Sequence, residues 1–525
     1  MSKFVDAREQ DFKEPLQADV CIVGAGAAGI TLARYLADSG LDVLMLESGG
    51  LKLEGPTQAL YQAERRDIKY YDMTACRLRY FGGTSNHWAG YCRPNDPIDF
   101  MGRPELGIAP WPIGEAELTP YVKRAAADLG LSMEGFDPAF QARRFNIDPA
   151  DLPDRHSDIW LTKVFQITTR KLQGQIWMDQ LTRQANLRVL LHANVTRIHA
   201  AQNGSHIDAV SVRALDKAPF KVKARWFVLA AHAVENARLL LDSDDVIPGG
   251  IGNQHDNVGR HFMEHPQLVS GRFVPNEKFL RLYNAGEMLK SSLNINFSLN
   301  AATMKREGML QYYCRFLPVY DFERTQEAFK QLGDGFWKPG DMKALKALGR
   351  VVGDLPGSYK HLMNKWEIQP AAPIAFNLDH RTEQEPNRES RVMLSPERDA
   401  LGSRKAIIKW SFTDLDYKTF ARGNELVSQE LKRLDLGTVS APPLTPDTIR
   451  GIVRGHFHHM GTARMSARPE DGVVDTNVKV HGIDNLFVAG SAVYPTAGYS
   501  GPTMFLMGFA IRLAEHLKTL KKAAA

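Results

Sequence analysis

The chain is short of cysteine, of long apolar runs and of net charge, and each shortage removes a class of function. Its four cysteines, Cys21, Cys76, Cys92 and Cys314, stand without CxxC spacing in 525 residues. That excludes a zinc ribbon, a c-type haem attachment and a disulfide framework. No run of about 18 apolar residues is present to cross a bilayer as a helix. Met1 to Leu16 is charged and has no apolar centre, so no secretory signal is expected and a cytoplasmic location is. The net charge of +5 is small for the length and no aromatic–basic array accompanies it, which argues against a nucleic-acid partner. What remains, 44% apolar and 24% charged residues, is the composition of a globular protein with two or three domains.

Val20 to Gly50 is the most structured stretch. Val20-Cys21-Ile22-Val23 predicts a buried parallel strand, and the turn Gly24-Ala25-Gly26-Ala27-Ala28-Gly29 follows at once. Ile30 to Ser39 has helical apolar spacing, and Leu41 to Leu46 is a second strand ending at Glu47 and Ser48. Gly24 permits the tight turn, Gly26 lets backbone N–H groups approach a pyrophosphate, and Gly29 lets helix and strand pack closely. A diphosphate suits the helix start at Ala27-Ala28, where unpaired N–H groups and the helix dipole favour negative charge. Glu47 is placed to accept hydrogen bonds from ribose hydroxyls. NAD and FAD share the adenosine diphosphate half, so this stretch does not separate them.

Farther along, Leu51 to Tyr71 is polar and expected to be irregular. The Gly82-Gly83-Thr84-Ser85-Asn86-His87-Trp88-Ala89 segment has the small residues of a backbone-lined loop against a ligand. A helix is expected over Glu115 to Leu129, and residues 131–175 are expected to wander over the surface. Leu187 to His192, Val195 to His199, Ile207 to Leu215 and Phe220 to Ala224 are short strands in expectation. Trp226 to Ala231 is a separate buried strand leading into a helix, Val234 to Leu241, which makes a second strand–turn–helix unit. Gln267 to Pro318 predicts a sheet, and Ser390–Leu394 pairs with Lys405–Trp410. Asp321 to Trp366 is a Lys-rich helical insertion, read either as a cover for the substrate domain or as a lid or docking surface carrying Phe336, Trp337, Leu345, Leu348 and Trp366.

The last 75 residues carry the chemistry. His456-Phe457-His458-His459 crowds three histidines into four positions, with no acid or thiol beside them to complete a metal site. Imidazole titrates near neutral pH, so a general base facing a hydride acceptor fits better. Asn485 to Ser491 is a buried strand ending in a tight turn at Gly490-Ser491. Gly501-Pro502-Thr503 then opens a helix, and its positive end suits the negative charge of a reduced flavin, which NAD would not need.

With these motifs in this order, the chain resembles the glucose–methanol–choline (GMC) oxidoreductases, FAD-dependent alcohol and sugar oxidases and dehydrogenases. The resemblance covers nearly the whole length, and Asn86-His87-Trp88 with Asn257 to Pro266 looks most like the branch of pyranose oxidases and bacterial sugar or glycoside dehydrogenases. It implies an α/β fold, α+β overall: a Rossmann-like FAD-binding domain from residues 1–110, 181–265 and 446–525, and a substrate domain on an antiparallel sheet from 111–180 and 266–445. It implies His458 as catalytic base, His459 as a second hydrogen-bonding group or orienter, Val195 and Ala230 near the cofactor, and His87 as either a covalent flavin attachment or a ring packed against it. The small-molecule partner implied is an alcohol or carbohydrate. Electrons would pass to oxygen or to a separate quinone or cytochrome partner, and a lyase with a redox-silent flavin is the other reaction the fold allows.

One position departs from the resemblance. The family usually places Asn or His before Pro-Thr, beside the catalytic histidine, and this chain has Gly501. Three explanations stand open: His459, Tyr499 or Ser500 fills the gap, the space admits a larger substrate such as a glycoside with a bulky aglycone, or the reaction differs.

Overall fold

In the computed structural model, residues 4–171, 173–282, 293–333, 342–366 and 371–523 are described. The strand Leu16–Val23 runs parallel to Val43–Leu46 on one side and to Phe220–Leu229 on the other. Val43–Leu46 pairs with Leu187–Leu191, which pairs with Phe4–Asp6, and Leu486–Val488 lies parallel beside the end of Phe220–Leu229. The register Val23↔Leu46, Val23↔Leu229 and Leu229↔Val488 gathers the carboxyl ends of four strands at one edge. The residues that follow them, Gly24, Glu47, Ala230 and Ala489, therefore face one crevice, where open parallel sheets bind ligands. The helix Ala27–Tyr35 packs against Pro502–Ala523, and that long helix packs against Glu115–Asp128.

Phe220–Leu229 is one strand, where the sequence pattern predicts two. Its first half alternates exposed and buried residues and pairs antiparallel with Ile207–Arg213, while its second half is buried on both faces. The change of environment breaks the periodicity without breaking the strand.

A second sheet is antiparallel throughout, in the order Gly437–Ser440, Gln267–Pro275, Ala375–Thr382, Tyr312–Val319, Leu293–Leu299, Trp160–Ile167, Tyr91–Cys92. Trp160–Ile167 corrects the expectation of a surface excursion over 131–175. It looks polar because Lys163 faces inward, buried on Asp96 at 2.7 Å. Period-two alternation then divides the sheet's faces. Leu293, Phe297, Leu299, Tyr312, Cys314, Phe376 and Leu378 form a core with the helix Asp414–Arg433. Asn294, Asn296, Tyr313, Arg315 and Arg381 point to the other face and line a cavity.

A small third sheet joins Arg391–Arg398 and Arg404–Trp410, as predicted, to Ala63–Asp67 as a parallel edge strand. Ala63–Asp67 falls within the stretch expected to be irregular, since the charges of Glu64, Arg65 and Arg66 hide its pairing. Such charges are common on edge strands, where they discourage pairing with other chains. Trp111, Leu118, Val392, Ile408 and Trp410 pack in the same core as the parallel sheet. The described residues of the insertion form three helices, Glu323–Gly333, Met342–Gly353 and Leu355–Lys365, with Leu345, Leu348 and Trp366 exposed. Phe336 and Trp337 lie outside the described residues. Among the described residues no helix is long and apolar enough to cross a membrane.

Candidate active site

One cavity of about 560 Å³ runs between the crevice of the parallel sheet and the polar face of the antiparallel one. Gly24, Gly26, Ala27, Ala28, Glu47, Ser48, Gly83, Thr84, His87, Trp88, Ala89, Val195, Ala230, Gly490, Ser491, Pro502 and Thr503 all line it, as do His458, His459 and Gly501. Gly29, Gly82 and Asn86 do not. Gly29 lies beneath the turn, where a Cβ would meet the Gly24 carbonyl oxygen at 2.0 Å. Asn86 braces its own loop by donating to the Phe81 carbonyl at 2.8 Å, with its carboxamide against Gly82.

At the glycine turn the local structure fits a diphosphate. The helix Ala27–Tyr35 begins at Gly26 with no side-chain cap, and nothing lies within 4 Å of where a Gly26 Cβ would stand. The turn is therefore open and its first N–H groups are free for an anion. Glu47 is buried, and its carboxylate accepts from the backbone N–H of Ala25 at 2.9 Å and of Gly49 at 2.8 Å. These bonds fix the acid against the turn it serves, and burial raises its pKa despite them. His87 Nε2 lies 2.8 Å from the Tyr80 hydroxyl.

The histidines form two separate chains whose protons can be assigned from their ends. His232 caps the helix Ala233–Asp242, its Nδ1 accepting from Val234 N–H at 3.3 Å, so its Nε2 carries the hydrogen. That N–H points to His459 Nδ1 at 3.1 Å. His459 Nε2–H then donates to the Tyr70 hydroxyl at 2.7 Å, and Tyr70 donates to Glu264. Both His459 nitrogens are engaged.

The second chain ends differently. His265 Nε2 lies 3.1 Å from the Ala497 carbonyl, which only accepts, so this nitrogen carries the hydrogen. Burial holds His265 down at about 4, so it is neutral near pH 7 and its Nδ1 is an acceptor. His458 Nδ1, 2.8 Å away, must donate to it. The His458 Nε2 lone pair is left without a protein partner among the described residues. A Cβ on Gly501 would stand 3.8 Å from His458 Cε1 and 3.2 Å from the Tyr91 carbonyl oxygen, so glycine keeps this spot beside the ring clear where a side chain would crowd the Tyr91 backbone. The three residues expected as substitutes are occupied elsewhere. His459 is held as above, the Tyr499 hydroxyl donates to Asp96 at 2.7 Å, and Ser500 Oγ donates to the Pro94 carbonyl at 3.2 Å.

Glu264 escaped the sequence pattern, although it sits beside His265 in the stretch Asn257 to Pro266. Fully buried, it accepts from the N–H groups of His265 at 2.8 Å, His456 at 2.9 Å and His458 at 3.1 Å, and from Tyr70. One carboxylate thus sets the backbone of both histidine segments. Glu264→Ala orphans these donors, and we expect a stability loss of about 3 kcal/mol in chemical denaturation. Glu264→Gln, which keeps one acceptor oxygen, is expected to lose less. Among the described residues no cluster of His, Cys, Asp or Glu is arranged to hold a metal ion.

Residues 19–248 match the family described as FAD dependent oxidoreductase, and residues 386–510 match the family described as GMC oxidoreductase. The chain is 24% identical to the fructose dehydrogenase large subunit of Gluconobacter japonicus, over 96% of this chain and 98% of that one. It is also 24% identical to the 2-methyl-1,2-propanediol dehydrogenase of Mycolicibacterium austroafricanum, over 95% of each chain. Among solved structures, pyridoxine 4-oxidase from Mesorbium loti superposes with a TM-score of 0.60 at 20% identity, over 95% of this chain and 98% of that one, a likeness of fold.

Proposed function

Because the chain belongs to the GMC-type FAD-dependent oxidoreductases, we propose that it oxidises a CH–OH group of a sugar or glycoside with His458 as the base. The observation that carries this is the Nε2 of His458, unpartnered among the described residues, on a cavity-lining ring directed by the His265–Ala497 chain. FAD, when bound, supplies the hydride acceptor. Gly24 to Ala28 and Glu47 would hold its adenosine diphosphate half, and the cavity-lining start of Pro502–Ala523 its ring. His458 accepts the hydroxyl proton on Nε2, and His265 steadies the resulting imidazolium by keeping its Nδ1 lone pair on the Nδ1–H. His459 braces the loop and has no free nitrogen to offer substrate.

The two relatives named above act, by their names, on fructose and on a diol, which supports a hydroxylated substrate. Gly501 removes a hydrogen bond to the substrate alkoxide but opens room for a bulky glycoside. Anaerobic mixing with sugars and glycosides, followed by bleaching of the flavin's visible band, tests the reading. Turnover without bleaching would mark a lyase instead. Peroxide release against dye reduction separates oxygen from a partner protein as acceptor. Yellow colour retained in acid-precipitated protein would mark a covalent link at His87. The cytoplasmic location is part of the same reading and is checked by fractionation.

A further inference from the structure

The far end of the cavity, on the antiparallel sheet, carries more cationic character than an uncharged substrate needs. Arg381 and Arg315 share one carboxylate. Asp379 lies 3.0 Å from Arg381 but 3.7 Å from Arg315, so among the described residues the Arg315 guanidinium has no anionic partner closer than that. Its Nε makes no hydrogen bond, and its charge stands 5.2 Å from the centre of the Tyr91 ring. Arg381 is locked by Asp379 and by His456 Nε2 at 2.7 Å. His456 is held neutral by burial and by Arg381, so it does not offset the charge either. Four acids line the cavity, and all are engaged elsewhere: Glu47 accepts from Ala25 and Gly49 N–H, Glu235 and Asp399 are both paired with Arg238, and Asp242 is paired with Arg404.

A second observation points to a ligand. Asn296 lines the cavity, is fully buried, and neither its carboxamide oxygen nor its nitrogen has a hydrogen-bond partner. Buried amides are satisfied in nearly all proteins, so a group left this way at a cavity wall awaits a polar ligand. The register Phe297↔Cys314 sets Asn296 beside Arg315 on the cavity face of adjoining strands.

We propose that Arg315, with Asn296 beside it, binds a carboxylate on the substrate, which makes that substrate a hydroxy acid of the uronate or aldonate kind. Two guanidinium groups against one carboxylate leave a single positive charge, which matches a monoanion better than a phosphate dianion. The carboxylate is a handle and changes no bonds. Oxidation at a hydroxyl near His458 proceeds as above, so the proposal rests on that reading for its chemistry but not for its binding.

The test uses FAD-loaded enzyme, reduced beforehand so that nothing turns over, and calorimetric titration with D-glucuronate, D-glucuronamide and D-glucose 6-phosphate. The acid should bind at least tenfold more tightly than the amide and more tightly than the phosphate ester. Arg315→Gln should collapse the acid-to-amide ratio, Arg315→Lys should restore part of it, and Asn296→Asp should repel the acid. Equal binding of acid and amide to the wild type overturns the proposal, as does tightest binding of the phosphate ester or an unchanged ratio in Arg315→Gln. If the acid is preferred but no hydroxy compound bleaches the oxidised flavin, the subsite stands and the oxidation reading falls. If neutral sugars bleach it and the acid has no preference, the reverse holds.

Discussion

Replacing His458 with alanine is expected to slow substrate-driven flavin bleaching about 10³-fold while the protein keeps its yellow cofactor. A positioned general base typically contributes about 10²–10⁴-fold. In the proposed role His458 is prepared before substrate arrives, since the His265–Ala497 hydrogen bond fixes the tautomer that leaves Nε2 unprotonated. His265→Leu removes that control without removing the base, so a smaller loss is expected, with a distorted pH profile. The wild-type profile carries its own signature. Burial first, with the Arg381 charge beyond it, holds His458 well below the ordinary histidine value of 6.5. The neutral ring is the active form, and a lowered pKa extends its range toward acid. The bleaching rate should therefore stay level through pH 6.5 and fall only well below it. An acidic limb centred at or above 6.5, or bleaching as fast in His458→Ala as in wild type, would remove His458 from the role.

How much of this was legible in the chain follows from how each feature is encoded. The strand–turn–helix unit at the crevice is local: a strand, a glycine turn and a helix within thirty residues, with Glu47 at the next strand's end, so pattern alone finds that unit. The histidine cluster is local too, and His458 is conspicuous. Its partner is not. His265 lies 193 positions away and meets His458 only because the Met263–Met460 bridge brings the two segments together. Glu264, beside it, acts on backbone N–H groups, which leave no mark in side-chain spacing. Trp160–Ile167 and Ala63–Asp67 were hidden for another reason, since charged residues on them are either paired inside or placed on an edge. Arg315, Arg381 and Asn296 are the extreme case. Each is an ordinary polar residue in an alternating strand, and only the orientation of the sheet shows that the polar face looks inward, toward the crevice of the parallel sheet, rather than at solvent.

Gly29→Ala is expected to give protein purified without FAD, and comparison with Gly26→Ala separates two ways of losing it. A Cβ at Gly29 would stand 2.0 Å from the Gly24 carbonyl oxygen and 3.4 Å from the Ile22 side chain. Backbone cannot yield as a flexible side chain does, so the helix Ala27–Tyr35 must move off the strand that ends at Val23. Gly24 cannot retreat to make room, because its φ of +106° and the Ala230 carbonyl behind it fix the turn. Overpacking of this kind costs about 1–3 kcal/mol, so a lower melting temperature should accompany the empty site. Gly26→Ala meets nothing within 4 Å and should leave the melting temperature of the apoprotein unchanged. Its methyl group instead projects into the cavity at the open turn, where a diphosphate must approach the backbone. The two variants should therefore both lose FAD, measured as absorbance near the flavin band against protein, while only Gly29→Ala loses apoprotein stability. If Gly26→Ala retains FAD as tightly as wild type, the open turn is not where the diphosphate sits.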